Sequence, residues 1–170
     1  MYKRAEGRPS KRIRHLPAGA ETRGFSILEL IIAMGILAIV LAIAYPSYNR
    51  MVANGNLRTA ARDIQSDIAS LKGRAVAENS QFTVFFDTGA NSYTITRISD
   101  GAVISTKSPA SFGQGIQITA APFGGGTTIA LLTRGTIQDA GNIQLINSRG
   151  STARIVCNIS GRTYVQFNMQ

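Results

Sequence analysis

Three residues near the N-terminus have the types and spacing for a specific chemistry. They are Gly24, Phe25 and Glu29, in the string Arg23-Gly24-Phe25-Ser26-Ile27-Leu28-Glu29. Gly24 has no side chain, so another molecule can approach its backbone closely. Phe25 opens a long apolar run. Glu29 places a carboxylate inside that run, where an acid costs on the order of 2.5–3.5 kcal/mol to insert in a membrane. Such a residue is there for a function, and its burial would favour a cationic partner. Other reactive groups are scarce. The only histidine, His15, lies upstream of Gly24, so residues 25–170 lack the commonest general base and metal ligand. The single Cys157 excludes an intrachain disulfide and a thiolate cluster, and reads as a small core residue on a strand. Gly124-Gly125-Gly126 reads as a tight or flexible turn, and lacks the Lys-Ser/Thr of a phosphate loop. Asp87, Asp100 and Asp139 sit in turn contexts, where carboxylates cap the backbone. No catalytic residue, cofactor or metal is expected, and the chain does not read as an enzyme.

The element that positions these residues is Phe25–Ala44, FSILELIIAMGILAIVLAIA, with Ser26 and Glu29 its only polar side chains. As a helix it spans roughly 30 Å, the thickness of a bilayer core. A secretory signal peptide would be shorter and would not carry an acid, although Ala42-Ile43-Ala44 mimics its cleavage site. An unprocessed anchor fits the length but gives Glu29 no role. The net charge is +9, of which residues 1–24 hold +5 and residues 25–170 hold +4. The basic segment should stay on the cytoplasmic side. Pro46 removes one helical hydrogen bond, and Gly35 and Gly55 are further weak points. Beyond it, Leu57, Ala61, Ile64, Ile68, Leu71 and Ala75 form one apolar stripe of an amphipathic helix. The like-charged pairs Arg58–Arg62 and Asp63–Asp67 lie off that stripe, and suggest a solvated or partner-facing surface.

After Asn79 the pattern changes to short runs rich in β-branched and aromatic residues. Strands are expected at Gln81–Asp87, Ser92–Ile98, Gly115–Ala120, Thr127–Leu132, Asn142–Asn147, Ala153–Ile159 and Thr163–Asn168. Asp/Gly/Asn/Ser turn signals separate them, and the spacing predicts antiparallel meanders.

The string from Arg23 to Glu29 resembles the class III (prepilin) signal of type IV pilins and type II secretion pseudopilins. The C-terminal landmarks Leu132-Thr133-Arg134-Gly135, Gly141-Asn142-Ile143, Ala153-Arg154-Ile155-Val156 and Gly161-Arg162 resemble the GspH/FimT pseudopilin family. The resemblance implies an α+β, type IV pilin-like fold: a long N-terminal helix packed on an antiparallel β-rich head. It implies a cleaved leader (1–24), a membrane or filament-core helix half (25–45), an amphipathic half (46–79) and a head (80–170). It also implies a prepilin peptidase as partner, cutting between Gly24 and Phe25 and N-methylating Phe25. Glu29 would pair with the Phe25 amine of a neighbouring pilin or pseudopilin subunit, and Pro46 stands at the distance from the cut that pilins share. The subunit would be single-pass in the inner membrane, its helix in lipid and its head in the periplasm, until it enters a filament. The implied function is that of a minor pseudopilin in type II secretion. The alternative is a FimT-like minor pilin of type IV pilus assembly that binds DNA through Arg149, Arg154 and Arg162. The DNA-binding members end in Gly-Arg-x-Arg, whereas this chain has Gly161-Arg162-Thr163-Tyr164. Arginines scattered to solvate the head are the plainer reading.

Overall fold

A computed structural model describes residues 24–170. The chain divides after Val40 into two compact units. One helix, α1 (Ile27–Ala77), is followed by eight strands: β1 (Phe82–Asp87), β2 (Ser92–Arg97), β3 (Val103–Lys107), β4 (Gln117–Ala120), β5 (Thr128–Leu131), β6 (Gly141–Ile146), β7 (Thr152–Cys157) and β8 (Thr163–Asn168). A 3-10 turn, Pro109–Phe112, joins β3 to β4.

The helix continues through Pro46. That residue has no N–H to donate, so the cost is one intrahelical hydrogen bond in an exposed stretch. From Leu57 onward the expected stripe is the buried face: Leu57, Ala61, Ile64, Ile68, Leu71 and Ala75 are all within 3 % of full burial, joined by Ala60.

The strands form two antiparallel four-stranded sheets, in the orders β3-β2-β1-β5 and β4-β6-β7-β8. Alternation decides which side chains face inward. Phe82, Val84 and Phe86 of β1, Tyr93 and Ile95 of β2, Ile129 and Leu131 of β5, Ile143 and Leu145 of β6, and Ala153, Ile155 and Cys157 of β7 join the helix stripe in one core. Burying each large aliphatic or aromatic side chain contributes about 1.5–3 kcal/mol. Cys157 is fully buried, and burial pushes its thiol up to about 12.

The glycine triplet makes a two-residue hairpin turn. Phe123 and Gly126 exchange both backbone hydrogen bonds, at 2.9 and 2.7 Å, around Gly124 and Gly125 at φ 50° and 89°. Left-handed values at both central positions are what such a turn requires.

The structure adds one strand to the seven expected. β3 escapes the sequence pattern because it is an edge strand without alternating burial, and its register against β2 shifts between Ile95 and Thr96. The meander is also interrupted: β5 returns to pair with β1, far from it in sequence, and β4 pairs with β6. Asp63 and Asp67 are not a solvated pair. They face β2 and β3, where Lys107 lies 2.7 Å from Asp67 and 3.4 Å from Asp63.

Candidate functional site

Gly24, Phe25 and Ser26 precede the helix in non-helical conformation. The basic leader, with Arg23 and His15, lies outside the described residues apart from Gly24. Phe25 is 84 % exposed, and Gly24 before it is exposed as well. Ser26 starts the helix. Its carbonyl accepts the first helical hydrogen bond from Leu30 N–H at 3.1 Å, and its Oγ accepts from Leu28 N–H at 3.3 Å. Ser26 is thus the N-cap, and Glu29 is the third helical residue, inside the first turn. The Ser-x-x-Glu spacing is a helix-start signal that fixes where the apolar run begins its helix. Sequence reasoning gives Ser26 no role, although this spacing is the signal for one. At this position the helix dipole also favours the Glu29 carboxylate.

Every residue from Gly24 to Tyr48 is exposed within the chain. The apolar window of the helix has mean hydropathy 2.9 and none of it is buried. By length and composition it is able to cross a membrane. Tyr45 and Tyr48, both more than 60 % exposed, follow the apolar run directly. Aromatic residues favour that position at a membrane surface. Sequence reasoning leaves them unassigned too, and their place at the end of the run is the signal.

The structure does not bring Arg149, Arg154 and Arg162 together. Arg149 lies in the β6–β7 turn, Arg154 in the middle of β7, and Arg162 in the β7–β8 turn at the strand's other end. Arg154 Nε donates to Asn142 Oδ1 at 3.1 Å, beside a shallow hollow of about 190 Å³ lined by Gln144, Thr152, Ala153 and Arg154. Among the described residues no group of histidine, cysteine and acidic side chains has the arrangement of a metal site.

The Gly-Arg landmark has a structural cause. Gly161 sits at φ 76°, and a Cβ there would lie 2.5 Å from the Gly135 carbonyl oxygen. The turn closed by Gly161 N–H to Asn158 O (2.8 Å) therefore packs directly on the turn closed by Gly135 N–H to Leu132 O (2.8 Å). Lys72 of α1 lies against both glycines and donates to Gly161 O at 3.4 Å.

Residues 21–45 match the family model of the prokaryotic N-terminal methylation motif. No curated protein matches the chain in sequence. Two structures of the minor pseudopilin EpsH from the type 2 secretion system of Vibrio cholerae are similar in fold. One has TM-score 0.54 at 11 % identity, covering 66 % of this chain and 97 % of that one. The other has TM-score 0.53 at 11 % identity, covering 66 % and 96 %. The chain therefore has the α+β fold of a minor pseudopilin. It carries a prepilin-type methylation motif at the start of its helix.

Proposed function

We propose that the chain is a minor pseudopilin subunit of a type II secretion pseudopilus. A prepilin peptidase cuts between Gly24 and Phe25 and methylates the new amine, and the subunit then enters a filament through α1. The observation that carries this is the order of the N-terminal features. An exposed Gly24–Phe25 bond precedes the Ser26 cap, Glu29 follows in the first turn, and the apolar run follows the cut and so stays on the protein. Before assembly the run sits in the inner membrane with the head in the periplasm. Moving it into a filament core exchanges one apolar packing environment for another, with little net cost. Glu29 is the exception, because its carboxylate gains a partner in the Phe25 amine of the adjacent subunit. The experiment is Glu29→Ala, followed by shear fractionation and blotting. Cleavage should be normal and the variant absent from the filament fraction. Incorporation at the wild-type level overturns the assignment.

A further inference from the structure

The Gly135–Gly161 contact gathers positive charge on the head. Arg134 and Arg162 are each bonded to one of the two touching glycines, which puts their backbones within roughly 10 Å of each other. Lys72 lies beneath the same contact. Both arginines are exposed. Among the described residues the ion pairs use Arg74, Arg97 and Lys107, and none of these three cations takes part in the patch. The acids are committed elsewhere. Asp63, Asp67, Glu78 and Asp100 are paired with those other cations. Asp87 accepts the N–H groups of Gly89 and Ala90, Asp139 lies against Gly124, and Glu29 is in the first turn of α1.

Two exposed apolar residues belong to the same elements. Val76 Cγ2 lies 3.0 Å from where a Cβ on Gly135 would stand. Val76 is 56 % exposed, as is Ile159, in the Gly161 turn, at 58 %. We propose that this surface docks an acidic peptide segment of a partner protein, with carboxylates meeting Lys72, Arg134 and Arg162 and an apolar side chain resting on Val76 and Ile159. The arginine guanidinium suits a carboxylate because its planar fork donates two parallel hydrogen bonds. A nucleic acid fits less well: a duplex would meet the cations through its phosphates and leave Val76 and Ile159 without apolar partners, and a single strand stacks its bases on aromatic rather than aliphatic side chains. The surface is separate from the N-terminal motif, so failure of either reading leaves the other standing.

The test uses the full chain in non-ionic detergent and two fluorescent probes: a peptide alternating glutamate with leucine, and a short DNA duplex. The chain should bind the peptide, and Arg134→Glu with Arg162→Glu should weaken it at least tenfold. Arg149→Glu, a charge reversal outside the patch, should stay within twofold. Replacing leucine with serine in the probe should also weaken binding. Thermal unfolding of the variants at the wild-type temperature shows that the head is intact. No binding of the peptide overturns the proposal, as does an equal loss with Arg149→Glu. Tighter binding of the duplex, lost in the same double variant, also overturns it and assigns the patch to nucleic acid.

Discussion

The Lys107 ammonium lies 2.7 Å from Asp67 Oδ2 and ties the edge strand β3 to the C-terminal half of α1. Tyr93, directly across from Lys107 in the β2–β3 register, donates its hydroxyl to the same carboxylate at 2.7 Å. Asp63 Oδ2 stands slightly farther off, at 3.4 Å from Lys107 and 3.2 Å from Tyr93. One carboxylate thus holds two residues of neighbouring strands against the helix.

Removing that carboxylate should loosen the edge. Asp67→Asn is expected to cost about 1–2 kcal/mol, since it weakens a charge-assisted hydrogen bond and a half-exposed ion pair together. That corresponds to a drop of roughly 3–8 °C in the unfolding temperature of the head. Asp63→Asn should cost clearly less. Equal losses in thermal unfolding would show that the two acids share the load.

The same cluster sets an alkaline limit. Burial, with Asp67 and Asp63 close by, raises the Tyr93 hydroxyl well above its ordinary value of 10.0. The hydrogen bond to Asp67 raises Lys107 above 10.5. A raised folded-state value contributes stability that is complete below the unfolded value and lost as pH climbs above it. Stability should therefore hold level up to about pH 10 and fall beyond it. Tyr93→Phe should flatten that fall in urea titrations run on either side of that pH. An unchanged slope would place the alkaline limit elsewhere.

Gly161 and Gly125 separate crowding from backbone strain. Both have left-handed φ, but a Cβ on Gly125 meets open space while one on Gly161 meets the Gly135 carbonyl. Gly125→Ala should cost about 1–2 kcal/mol, the ordinary left-handed penalty. Gly161→Ala should cost more, about 3 kcal/mol, because the two turns must move apart. Matching losses in urea unfolding would mean that the close contact adds nothing.

Cys157 should be silent in the native protein. Its thiol is fully buried and, pushed up to about 12 by that burial, carries almost no thiolate near neutral pH. A thiol reagent should modify it only after denaturation, and fast labelling of the native chain would refute its burial.

Some elements are legible in the sequence and others are hidden, for physical reasons. The apolar run and the Gly24-Phe25-Glu29 spacing stand out because a long hydrophobic span tolerates a lone acid only where that acid has work to do. The stripe from Leu57 to Ala75 is plain because one face of the helix is covered and the other is not. β3 is hidden because Val103 and Ile104 are exposed and no inward alternation marks them. Without β3 there is no place for Lys107, so Asp63 and Asp67 look solvated in the sequence. Arg134 carries no mark of a contact residue there, because only the packing of two glycines distant in sequence brings its turn against that of Arg162.

The burial pattern along α1 gives the helix two separate sources of cooperativity. Protection of the backbone from Leu57 to Ala75 is coupled to global opening of the head, because those residues are core. Protection from Ile27 to Ala44 depends on whatever apolar medium surrounds it. In detergent, heating should dissolve the tertiary packing and the C-terminal half of the helix together, while the N-terminal half keeps its hydrogen bonds to higher temperature.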